Sequence, residues 1–182
     1  MLRLICIRPQ LTATALTSLM LLASMTIGFA EEKRELDPSC KAVEETYLKS
    51  RGYPRYSVKM PLIREDGSYK PYMEYKVTPT QQLVWRSFDK RWVTYRRQRA
   101  SLWDRFDPKF TNCKMVGEEP SPEGTLLHYK STWSHFPHKA DADLWVLKED
   151  GMTRRVVRRY PDDGWALPEG TIEETFQYAP LE

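Results

Sequence analysis

From Tyr56 onward, short runs of alternating apolar and polar residues follow one another along the chain, each bounded by Gly, Pro, Asp or charged turn residues. Alternation with a period of two sends every second side chain to the same side, which suits a half-buried strand and does not suit a helix. The runs are Tyr56 to Met60, Lys70 to Val77, Gln82 to Phe88, Trp92 to Gln98, Lys114 to Val116, Leu126 to Trp133, Leu144 to Lys148, Thr153 to Tyr160 and Thr171 to Tyr178. Asp89-Lys90-Arg91 is a hairpin-sized connection, and Glu149-Asp150-Gly151 carries the strong Asp-Gly turn signal. About nine short strands with short connections predict an antiparallel meander rather than a parallel α/β sheet. The stretches 117–124, 134–142 and 161–170, polar and proline-bearing, are expected to be loops.

One helix is expected ahead of the strands. Asp37 is suited to cap it, Pro38 to its first position and Gly52 to a left-handed stop. Cys40, Val43 and Tyr47 form its narrow apolar stripe. Leu102, Trp103 and Phe106 within 100–106 suggest one or two further helical turns.

The first thirty of the 182 residues read as an export signal. Arg3 and Arg8 precede an apolar stretch from Leu11 to Phe29, and Gly28-Phe29-Ala30 places small residues at a cleavage site. Residues 31–182 are then a single β-rich domain, periplasmic or secreted. Removing the leader takes away two arginines and no acid, so a chain of formal charge +3 becomes nearly neutral. It also removes Cys6, leaving Cys40 and Cys113 as an even pair in an oxidising compartment, where a disulfide is expected.

Catalytic signatures are missing: there is no G-x-S-x-G, H-E-x-x-H, Walker loop or G-x-G-x-x-G. His128, Ser131 and Asp141 or Asp143 contain the residue types of a triad without any diagnostic spacing. Glu44-Glu45 and Glu173-Glu174 are consecutive pairs, which point to different sides of a helix or strand and do not converge as acid and base. His135 and His138, with His128 nearby, are the best metal-ligand candidates, but no helix holds their spacing. The expectation is a protein that is not an enzyme, with no metal and no cofactor.

Basic and aromatic residues interleave from Trp85 to Arg99, as they do in single-strand nucleic-acid platforms, but export and near-neutral charge argue against nucleic acid. A second basic run, Arg154-Arg155-Val156-Val157-Arg158-Arg159, contains consecutive arginines that point to opposite faces of a strand. An inward arginine needs an acid partner or a wet cavity. Arg96, Arg97, Arg155 and Arg159 are therefore candidates for an anion or headgroup surface, against the plainer reading of a solvated face. The aromatic excess, 12% of the chain, offers Trp85, Trp92, Trp103, Trp133 and Trp145 as the lining of a concave apolar site, against simple core packing.

The order of elements, an export signal, an N-terminal helix and an antiparallel meander with Leu144 to Met152 and a closing strand Glu173 to Tyr178, resembles the LolA-type lipoprotein-carrier class of envelope proteins. In that class a Trp-containing strand, a turn and a basic strand recur near the C-terminus. The resemblance implies a curved half-barrel and acyl-chain binding on its concave face beneath helical lids. This chain departs from it in offering only 100–106 as a lid and in its cysteine pair. The expected function is the binding of a lipid or other apolar molecule on a concave β surface. The alternative is an envelope module with a solid core that meets a partner protein or the cell wall. Oligomeric state is not legible in the residues.

Overall fold

The computed structural model describes residues 35–161 and 170–179. Residues 1–30, expected to be an export signal, and Trp165 lie outside the described residues. Among the described residues the chain is mainly β, with one short α-helix, α1 (Lys41–Gly52), preceded by a 3₁₀ turn, Pro38–Cys40. The strands are β1 (Tyr56–Ile63), β2 (Tyr69–Val77), β3 (Gln81–Arg86), β4 (Arg91–Arg96), β5 (Trp103–Asp104), β6 (Asp107–Pro108), β7 (Phe110–Ser121), β8 (Gly124–His135), β9 (His138–Leu147), β10 (Met152–Arg159) and β11 (Thr171–Tyr178).

Nine of them form one antiparallel sheet in the order β4-β3-β2-β1-β11-β10-β9-β8-β7. The meander expected from the pattern is in fact two. One runs outward from β1 to β4, the other returns from β7 to β11, and the pairing of β1 with β11 joins them from Tyr56↔Tyr178 to Ile63↔Thr171. The sheet has two edges, β4 and β7, and is not a closed barrel.

Proline is placed where a sheet tolerates it. Pro120 lies in the edge strand β7, and Pro61 and Pro71 flank the register shift between β1 and β2 at Met60/Leu62. The segments expected as loops at 117–124 and 134–142 are therefore largely strand. β7 and β8 continue to a turn at Ser121–Gly124, and β8 and β9 meet in a tight hairpin at Phe136-Pro137. At 100–106 the expected helical turns are replaced by the small hairpin β5-β6, turned at Arg105 with φ of 56°.

The helix also stops differently from the expectation. Gly52 remains helical, and the chain leaves through Tyr53 at ψ of 137°, the extended conformation required of a residue before proline. The Asp-Gly turn holds: Gly151 has φ of 62°, and Asp150 Oδ1 accepts from the Met152 N–H.

The start of the helix is fastened to edge strand β7 at a bulge. Between Thr111 and Lys114 the register against β8 shifts, freeing backbone N–H groups of Asn112 and Cys113. Asp37 accepts from the Asn112 N–H at 2.8 Å and Ser39 Oγ from the Cys113 N–H at 3.1 Å. The Cys40–Cys113 disulfide lies beside them and spans 73 positions. Cys40 and Val43, with Tyr47 against Phe110, form one core cluster, and Tyr56, Val58, Met60, Leu62 and Phe176 belong to a second.

Chain-entropy arguments put the loss on removing a bridge of this span at about 4 kcal/mol. Urea unfolding of the Cys40→Ser/Cys113→Ser double variant should show that loss with the β-sheet circular dichroism retained. A difference under about 1 kcal/mol would show that hydrogen bonds alone hold the helix to β7.

Candidate functional site

The central strands bury side chains on both faces, and the two faces differ chemically. In β9, Ala142 to Leu147 are all buried. Ala142 and Leu144 point with Val156 and Arg158 of β10 toward α1, while Asp143 and Trp145 point to the other side. A bulge in β10 sets which arginine goes where. Thr153 and Arg155 pair with adjacent residues Val146 and Trp145, leaving Arg154 as the extra residue. Ser50 of the helix accepts from the Thr153 N–H beside it at 2.8 Å.

On the helix side the sheet curls around a cavity of about 720 Å³. Its wall draws on β1, β2, β3, β8, β10 and β11 of the one sheet, with Trp103 of β5 completing it. Tyr56, Met60, Tyr75, Trp133, Tyr160 and Ile172 supply apolar and aromatic surface. Phe88 lines it too and is 70% exposed, marking the mouth. There Asp104 of β5 receives His135 Nδ1 at 3.1 Å and the Phe136 N–H, tying the small hairpin to the β8-β9 hairpin.

The interior also carries charge. Glu174, 3% exposed, pairs with Arg51 of α1 at 3.0 Å and with Arg158 of β10. Arg158 stacks over Trp133 at 4.3 Å. Lys109, 9% exposed, sits beside Tyr47, its nitrogen 5.9 Å from the ring centroid. Burial pushes the Lys109 ammonium below its ordinary value; Asp104 opposes that shift and the charges of Arg51 and Arg158 add to it. Burial likewise lowers Arg158. The phenols of Tyr47, Tyr75 and Tyr160 are pushed up by burial and stay neutral.

The opposite face holds an ionic network. His128 reaches Asp143 through Nε2 at 2.7 Å and Glu119 through Nδ1 at 3.0 Å, and its ring stacks on Trp145 at 4.4 Å. Trp145 Nε1 donates to Glu119, Arg159 pairs with Asp143, and Arg155 pairs with Glu173 while lying over Trp145. The His128–Asp143 pair has the geometry of half a triad. Ser131, an odd number of residues from His128 on β8, is opposite Ala142 and belongs to the helix side, so it does not join them.

The structure divides the sequence candidates accordingly. Trp103 and Trp133 line the cavity. Trp85 and Trp92 face each other across β3 and β4, with Lys76 over Trp92, and Trp145 lies in the ionic network; none of the three lines the cavity. The arginines form no single surface. Arg155 and Arg159 have acid partners, and Arg96 is exposed on β4. Arg97 instead donates to the carbonyls of Arg51, Tyr53 and Pro54, at the end of the helix and just beyond it, and to that of Thr78 after β2, at 2.7 to 3.2 Å. Among the described residues no group of three or more metal-ligating side chains is assembled, and His135 is engaged by Asp104. Sequence reading missed Tyr47, Tyr75, Tyr160, Lys109 and Glu174. The one available signal was the demand of an inward arginine for an acid, which Arg158 and Glu174 satisfy.

No family model matches the chain, and no curated protein matches its sequence.

Two consequences are measurable. Arg97→Ala should cost about 3 kcal/mol, because it strips a charged donor from four carbonyls, whereas Arg96→Ala should stay within about 0.5 kcal/mol. Equal effects in denaturant unfolding would contradict the capping role. Asp143 supplies the second. Its burial acts to raise its pKa, but hydrogen bonds from Arg159 and His128 outweigh that and hold it below the ordinary 3.8. A carboxyl lowered on folding stabilises fully above its unfolded value and loses that contribution as pH falls through the folded one. Asp143→Asn should therefore be less stable at pH 7 by about 2 kcal/mol, with the gap closing only below pH 3.8. A gap that is constant across an acid titration would refute the assignment.

Proposed function

We propose that this protein is an exported, non-enzymatic binding protein that holds one small molecule with a substantial apolar body in the cavity between its helix and its curled sheet. The observation that carries this reading is the cavity itself. Its volume, about 720 Å³, lies in the range of ligand sites, and its wall combines aromatic and aliphatic surface with charged groups that could fix a ligand's orientation. Core packing of this aromatic-rich chain would have filled that space. The alternative of an interaction module required a solid interior, so the cavity favours ligand binding over it. The disulfide supports function in an oxidising compartment, and no helix among the described residues is long and apolar enough to cross a membrane. The curved sheet with a helix on its inner side also fits the resemblance to the LolA-type class, from which apolar ligand binding is carried as part of this proposal.

Binding can be tested on wild-type protein with an apolar fluorescent dye and by native mass spectrometry of freshly purified material. Dye fluorescence should rise on binding, and a co-purified small molecule should appear as an added mass. Ile172→Trp, which places an indole on the cavity wall, should weaken dye binding at least tenfold. Absence of both dye binding and added mass in the wild type would defeat the reading.

A further inference from the structure

The cavity contains more positive charge than its own acids neutralise. Five cations, Arg51, Arg86, Arg99, Lys109 and Arg158, contribute to its wall against two carboxylates, Asp104 and Glu174, and Glu174 is bonded to Arg51 and Arg158. Among the described residues Lys109 has no carboxylate within bonding distance, and Asp104, whose charge favours the ammonium, is already bonded to His135 and to the Phe136 N–H. Arg158 adds a specific vacancy. Its side chain is more than nine-tenths buried, and its Nε–H finds no acceptor. A buried guanidinium donor without a partner, next to a buried ammonium without an acid, is costly unless an anion occupies the space they face.

We infer that Arg158 and Lys109 form an anion subsite inside the cavity, taking the carboxylate or phosphate of a small amphiphile whose apolar part lies along Trp133, Trp103 and Tyr160. The inference rests on the proposal that the cavity binds a ligand, and it names the class: an acid or phosphate monoester on an apolar chain, rather than a neutral or cationic lipid. Glu174 explains why the subsite is selective and not merely sticky. It neutralises one charge and orients both guanidiniums, leaving the Arg158 Nε edge and the Lys109 ammonium to the incoming anion. The tyrosine phenols around them are neutral, so they offer hydrogen bonds without opposing the anion's charge.

The test measures binding of dodecyl phosphate, dodecanoate, dodecanol, dodecyltrimethylammonium and inorganic phosphate to the purified protein, below micellar concentrations, by quenching of tryptophan fluorescence and by calorimetry. Both dodecyl anions should bind at least tenfold more tightly than dodecanol, the cation more weakly still, and inorganic phosphate at least a hundredfold more weakly than dodecyl phosphate. In Lys109→Met the ratio of dodecyl phosphate to dodecanol affinity should fall at least tenfold, while Arg96→Ala leaves that ratio unchanged. Because the variant removes an unpartnered buried charge, its melting temperature without ligand should be higher than that of the wild type. Equal affinity for dodecanol and the two anions overturns the anion subsite and leaves the cavity reading standing. Failure of every dodecyl compound to bind removes both. Inorganic phosphate binding as tightly as dodecyl phosphate overturns the amphiphile assignment. A Lys109→Met variant with an unchanged ratio, or with a lower melting temperature, overturns the role given to Lys109.

Discussion

Glu174 is the point on which helix, sheet and cavity all depend. It lies on β11, the strand that joins the two meanders, and its two oxygens hold Arg51 from the helix and Arg158 from β10. Removing one partner from a buried ion group leaves charge uncompensated in a medium that solvates it poorly, a cost of about 3 to 5 kcal/mol. The end of α1 is therefore held at a definite height above the sheet. At its other end the same helix is held by the disulfide and by Asp37 and Ser39 on the β7 bulge. Anchored at both ends over β7 and β10, it covers one part of the curled sheet and leaves the part beside β1, β2 and β3 open as the cavity.

The two faces of β9 and β10 differ in how completely their charges are paired. On the outer face, every charged group in the network has a partner of opposite sign, and the rings of His128 and Trp145 are clamped between them. On the inner face the pairing is incomplete, with the Arg158 Nε–H left open. A bulge separates these roles within one basic run. By inserting Arg154 as an extra residue, β10 sends Arg155 and Arg159 outward and Arg158 inward.

Much of the fold is legible in the residues because β alternation is a local pattern with a period of two. The strands read at Thr171 to Tyr178 and near Tyr56, Lys70 and Thr153 agree with the observed elements to within a few residues at each end. The errors fall where proline or composition suggested a loop. Pro120 is tolerated because β7 is an edge, and whether a strand lies at an edge is a property of the sheet, not of the segment. Trp103 and Phe106 look like part of a helical stripe, but residues so close in sequence also suit a two-residue hairpin pressed against the cavity wall. Arg97 shows the limit for sites: beside Arg96 it is indistinguishable from an exposed base, and only the arrival of the chain leaving the helix, at Arg51, Tyr53 and Pro54, and of Thr78 after β2 supplies its four carbonyls.

The sequence by itself determined the class of secondary structure, the cysteine pairing and the fact that an inward arginine had to find an acid. These follow from backbone periodicity, from having two cysteines after the expected leader, and from the cost of burying an unpaired charge. Tertiary structure alone decided that β1 pairs with β11, that Glu174 is the acid, and that Trp103 and Trp133 face a cavity while Trp85, Trp92 and Trp145 do not. The reason is physical. Alternation separates the two sides of each strand but carries no information about which side the sheet curls toward, and that curvature, set by bulges and long-range pairing, is what turns one face of the sheet into the wall of a cavity.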